Sequence, residues 1–201
     1  MTFYHKIIKF SYHFTWFSKI YYSLTMNLSK NLPQCPVKTY SSFIQIRNAL
    51  KSGNLYEHDN IADVIKDYLI HPRVIQCRLN SEKNFGDCDD HAIYWCTAIK
   101  KSKLAKKVWF SFFTMTGRGT DDSINSHAVC VFLGYDDKYY WCDYKNPNLL
   151  DKPSNFQVKS ANLYGCEALC GAMWEIHTIK DDDTPIFGKI TRVLPEDDII
   201  L

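Results

Sequence analysis

The sequence predicts an α+β protein: helices first, then antiparallel strands. Two observations carry this. Helical apolar periodicity dominates up to about residue 107, with stripes such as Phe43/Ile46/Leu50 and Ala92/Trp95/Cys96/Ile99. Beyond it, segments rich in aromatic and β-branched residues take over, broken by Gly-containing turns. The chain has 201 residues, 46% of them hydrophobic, with 13 Tyr, 12 Phe and 5 Trp, so it can bury a sizeable core as one domain.

Residues 1–30 read as a basic aromatic extension ahead of a domain over 31–201. Phe3, Ile7, Phe10, Phe14, Phe17, Tyr21 and Leu24 recur at four- and three-residue steps, with Lys6, Lys9 and Lys19 off the stripe. Residues 1–56 hold seven Lys/Arg and no acid, which leaves 17 basic and 22 acidic residues, a balance of −5, for the rest. A basic amphipathic helix can lie on a membrane surface. The favoured alternatives are a helix docked on its own domain or an extension ahead of a start at Met26. Phe10, Tyr12, Phe14 and Trp16 also alternate as a strand does. Lys and His interrupt the apolar run, so it reads neither as a membrane span nor as a signal-peptide core. A net charge of +2 gives no reason to expect a nucleic-acid partner.

Pro33 and Pro36 precede a helix over Tyr40–Leu50 that stops at Ser52-Gly53. Asn60 can cap a helix with Ile61, Val64, Ile65, Tyr68 and Leu69 on one face, ended by His71-Pro72. Residues 73–87 then read as a loop leading to Cys88. The next helix is expected from Cys88 to about Lys107, with Asp87 as N-cap, Asp89 and Asp90 in the first turn and Lys100–Lys107 at its basic end. Strands follow at Val108–Met115, Ser126–Gly134 and Tyr139–Lys145, the last two joined by a turn at Gly134-Tyr135-Asp136. A short helix near Ala161–Gly171 and strands at Trp174–Ile179 and Gly188–Leu194 complete the outline.

Eight cysteines form no CxxC pair, and a chain of this size needs no disulfide staples. Free thiols in a reducing, cytoplasmic compartment are expected. Cys166-x3-Cys170 with His177 beyond lacks the close ligand pair of a zinc site and reads as two cysteines on one helix face. No metal and no cofactor are expected.

The chemistry centres on Gly86-Asp87-Cys88-Asp89-Asp90-His91-Ala92. A cysteine at a helix N-terminus is where a thiolate is favoured. A nucleophilic thiol needs a base, and the base needs an orienting partner. His127 opens Ser126-His127-Ala128-Val129-Cys130-Val131-Phe132, and Asp143 lies inside an aromatic strand, where a carboxylate demands a partner. If the turn spans 134–136, Leu133 faces Asp137, Val131 faces Tyr139, Val129 faces Trp141 and His127 faces Asp143. That face would also receive the Cys88 helix, leaving Cys130 and Cys142 on the other. Each residue also has an ordinary structural role open to it: a small buried hydrophobe, a hydrogen-bonded strand histidine, an ion-paired carboxylate.

These three blocks, with Trp141-Cys142-Asp143-Tyr144 as the last, resemble the signature blocks of the transglutaminase-like superfamily. The separations, 39 residues from Cys88 to His127 and 16 from there to Asp143, are most similar to the bacterial transglutaminase-like cysteine proteinase branch. The resemblance covers roughly residues 40–146. It implies a papain-like core with the nucleophile's helix on an antiparallel sheet, Cys88 as nucleophile, His127 as general base and acid, and Asp143 as orienting acid. It implies a cysteine peptidase acting on a protein or peptide. Transglutamination or glutamine deamidation by the same residues, or a non-catalytic binding module, are the alternatives. Some members of that branch bind calcium; capping accounts for Asp87, Asp89 and Asp90 without it. Gln76 and Tyr68 are chemically suited to supply an oxyanion donor.

Overall fold

The computed structural model describes residues 15–52, 69–81, 86–117, 124–143 and 147–193. Residues 1–14, most of the helix expected after Asn60 (with Tyr68), and the 118–123 loop lie outside these. Among the described residues, helices α1 (Thr15–Ser29), α2 (Phe43–Ser52), α3 (Pro72–Asn80) and α4 (Cys88–Lys101) precede strands β1 (Lys107–Gly117), β2 (Ile124–Leu133), β3 (Tyr139–Cys142) and β4 (Asn148–Leu150). A 3₁₀ turn at Pro153–Asn155 leads into α5 (Phe156–Leu163), followed by β5 (Cys166–Ile179) and β6 (Pro185–Val193). The strands form one antiparallel sheet in the order β4-β3-β2-β1-β5-β6. The fold is α+β, as the sequence predicts.

Side-chain alternation splits the sheet into two faces. Val108 and Phe110 of β1, Ala128, Cys130 and Phe132 of β2, and Trp174 and Ile176 of β5 bury one face against α1–α4. Phe113, Val129, Val131, Trp141 and Met173 bury the other against Phe156 and Ala161 of α5. The Cys88 helix therefore packs on the face of Cys130 and Cys142, not on that of Val129, Val131, Tyr139 and Trp141 as expected. Helix α5 covers the odd-numbered face of β2, and the Cys88 helix takes the even-numbered one. Residues 89–99 of α4 are buried throughout. A helix enclosed all round belongs to the core of a layered domain.

Several boundaries move. Pro72 starts α3 rather than ending a helix: His71 is the N-cap, its ring accepts from the Arg73 N–H, and proline is well placed in a first turn. Leu69 and Ile70 are not helical, and 73–80 are helix rather than loop. Helix α4 ends at Lys101 because Lys103 takes a left-handed backbone (φ 54°) and turns the chain into β1. Cys166 and Cys170 lie on a 14-residue strand instead of a helix, and the preceding helix ends at Leu163. In α1, Tyr22, Thr25, Met26 and Ser29 dock on the domain, while Leu24, expected on the apolar stripe, is 58% exposed; the side chains of residues 15–21 lie outside the described ones. The aromatic edges set this: Tyr22 packs at 5.8 Å on Phe110 and 5.5 Å on Trp174. Residues 22–29 thus share the core of the segment that follows them. Among the described residues, no helix is long and apolar enough to cross a membrane.

Candidate active site

The β2–β3 connection is two residues longer than expected. Leu133 pairs with Tyr139, Val131 with Trp141 and Cys130 with Cys142, leaving Gly134–Lys138 as the loop. The Gly134 N–H donates to Lys138 O at 2.9 Å, and Asp137 takes a left-handed backbone (φ 61°). Continuing this register sets Asp143 opposite Val129, diagonal to His127. A slip of two residues preserves the face of every side chain, and a diagonal pair is within reach of long side chains. His127 Nε2 and Asp143 Oδ2 meet at 3.0 Å. Both residues are buried, 6% and 8% exposed.

Cys88 comes to the same end of the ladder from the other side. Asp87 caps its helix by accepting from the Asp89 N–H. Gly86 (φ 138°) brings the chain in so tightly that a Cβ there would lie 1.8 Å from Asp90 Oδ2. Beyond the last β2–β3 pair, Ala128, the residue after His127, turns its backbone N–H toward Cys88 and favours negative charge on the sulfur. Burial pushes the Cys88 thiol well up; the Asp89 and Asp87 charges raise it further, and the Ala128 N–H works against them. The Asp90 carboxylate is engaged elsewhere, accepting from the Ile70 N–H at 2.6 Å.

Two residues join the site that sequence reasoning did not single out. His91, one turn along α4, is 8% exposed, and its ring is influenced by the charges of Asp143, Asp87 and His127. Burial, the largest influence, lowers its pKa to about 4, so the ring is neutral at ordinary pH. Tyr164, in the turn after α5, donates to Asp143 Oδ2 at 2.6 Å and lies 3.4 Å from His127 Nε2. No motif marks Tyr164; only the seating of α5 on the second face brings it in.

Gln76 is committed elsewhere: Oε1 accepts from the Lys38 N–H and the Tyr94 hydroxyl, and Nε2 donates to Asn80. All eight cysteines are free thiols. Cys96, Cys130 and Cys142 are fully buried, in keeping with a core role. Asp87, Asp89 and Asp90 each bring one carboxylate oxygen within 4.8 Å of the others, the one such gathering of possible metal ligands among the described residues. Capping and the Ile70 bond already employ Asp87 and Asp90.

Fold and site together define an α+β protein in which a helix-heading cysteine and a buried His–Asp–Tyr cluster share one end of an antiparallel ladder. No protein-family model matches the chain, and no curated protein matches it.

Proposed function

We propose that the chain is a thiol-dependent acyl-transfer enzyme of the transglutaminase-like, papain-like type, acting as a cysteine peptidase on a protein or peptide. The observation that carries the reading is the buried His127–Asp143 hydrogen bond of 3.0 Å, one residue from Ala128, whose N–H works to lower the pKa of the Cys88 thiol. With Nε2–H held on Asp143, Nδ1 is the nitrogen left to exchange protons in the neutral ring. Cys88 attacks the amide carbonyl while His127 takes the thiol proton. The tetrahedral oxyanion is held by the Cys88 backbone N–H at the helix start. His127 then protonates the departing amine, and water, deprotonated by His127, releases the acid from the thioester.

Burial and three carboxylates, Asp89, Asp87 and Asp143, oppose the Cys88 thiolate, so the reading places the activation on His127. The test is iodoacetamide labelling followed by peptide mapping, because Cys35, Cys77 and Cys166 are also partly accessible. Cys88 should alkylate at least about tenfold faster than those three, and His127→Ala should abolish the difference. Uniform labelling of the four would overturn the triad. Cys88-dependent incorporation of a labelled primary amine into a glutamine-containing acceptor would move the reaction from hydrolysis to transglutamination.

A further inference from the structure

We infer that Tyr164 is a positioning residue for this cluster, fixing the Asp143 carboxylate and covering the His127–Asp143 bond. Three atoms form a closed triangle: Tyr164 Oη to Asp143 Oδ2 at 2.6 Å, Oδ2 to His127 Nε2 at 3.0 Å, and Oη to Nε2 at 3.4 Å. Both donors converge on Oδ2, while Oδ1, buried, has no hydrogen-bond donor among the described residues. A carboxylate held through one oxygen by His127 alone can swing about that bond. The second donor removes this freedom and shares the charge that Asp143 offers the imidazole.

The ring has a separate part to play. It meets the His127 ring edge-on, with centroids 5.1 Å apart and planes at 69°, while Phe113 closes the histidine at 5.8 Å and 87°. Tyr164 is 45% exposed, yet its hydroxyl is turned in to a buried carboxylate. It therefore forms the wall between solvent and the His–Asp bond. The turn geometry serves this placement: Tyr164 caps α5 through its N–H to Ala161 O, and Gly165 (φ 66°) reverses the chain into β5.

The significance of this residue rests on the acyl-transfer reading, but its contact can be tested apart from it. Tyr164→Phe keeps the ring and deletes the donor; Tyr164→Ala deletes both. With ¹⁵N-histidine labelling at one fixed pH, the Nε2–H resonance of His127 reports the contact directly. In Tyr164→Phe, Asp143 no longer shares its charge with a hydroxyl. The 2.6 Å bond outweighs the weaker 3.4 Å contact, so the His127 Nε2–H bond to Asp143 should tighten and its proton resonance move downfield of the wild-type position. Tyr164→Ala should also speed exchange of the Nε2 proton with water. An Nε2–H resonance in Tyr164→Phe unmoved from its wild-type position would overturn the inference. The imidazole reports whether or not Cys88 acylates, so that failure is distinct from failure of the acyl-transfer reading, which His127→Ala labelling decides.

Discussion

Cys88 sits where its backbone and its surroundings pull in opposite directions. The helix start and the Ala128 N–H favour negative charge on sulfur, while burial and the Asp89 and Asp87 carboxylates disfavour it. From sequence alone the three aspartates count equally against the thiolate. Asp90 is in fact turned to the Ile70 N–H, and that orientation depends on Gly86 having no side chain. Gly86→Ala would meet both a left-handed backbone and the Asp90 carboxylate. It should cost about 2–3 kcal/mol in urea unfolding, and it should slow Cys88 alkylation by displacing the helix start. Unchanged stability would mean that the loop re-forms without Asp90. Cys88, His127 and Asp143 are legible because each stands out chemically in its local pattern. Tyr164 is not, since one tyrosine among 13 after a short helix carries no mark.

The hairpin between β2 and β3 explains how an incorrect register can still select the right partners. The loop is longer than expected by an even number, so His127 and Asp143 keep a common face and meet diagonally. An odd change would have turned Asp143 toward Cys130. The layer was not legible, because odd and even positions of β2 are equally apolar and nothing local says which one a helix covers. The α3 boundary failed for a related reason: Pro72 serves equally to end a helix or to begin one, and only the His71 cap decides. Long-range ties between elements were also out of reach of periodicity. Asp183, 1% exposed, accepts from Lys101 at 2.6 Å, Arg73 at 2.9 Å and the Val37 N–H at 3.0 Å. It joins α3, the end of α4 and the segment before α2 to the β5–β6 turn. Burial would raise its carboxyl; the Lys101, Val37 and Arg73 bonds outweigh that and hold it below the ordinary range. Asp183→Ala strands two cations that are only partly exposed, and should cost about 3 kcal/mol by urea unfolding. A loss below about 1 kcal/mol would show that the two cations find solvent readily and that this junction is held by apolar packing alone.

At the scale of the whole molecule, two buried histidines tie stability to pH. His71 joins three elements: its N–H donates to Ser29 of α1, its Nδ1 caps α3, and its Nε2 meets Thr184 Oγ1 at 3.0 Å beside β6. Burial, reinforced by Lys30, lowers its pKa to about 4, the same value that burial gives His91. Each ring has a folded pKa below the unfolded value of 6.5, so the unfolded chain binds protons first as the pH falls. Stability is full above about pH 6.5, declines between 6.5 and 4, and levels off below as far as these two groups are concerned. A gap of this size corresponds to at most about 3 kcal/mol per histidine. Asp182 and Asp183 also have lowered pKa values, but their contribution is lost only below the ordinary carboxylate value of 3.8, so the two effects occupy different pH windows. The urea midpoint should therefore be flat from pH 8 to 7 and fall through the histidine window. His71→Asn keeps a side-chain acceptor at the N-cap and removes one titrating ring, so it should recover roughly half of that fall. Parallel wild-type and His71→Asn curves between pH 6.5 and 4 would place the proton uptake elsewhere. His91 would then be the first residue to replace, because it shares the buried end of the ladder with Asp143 and His127, and its protonation would bring positive charge to the candidate site itself.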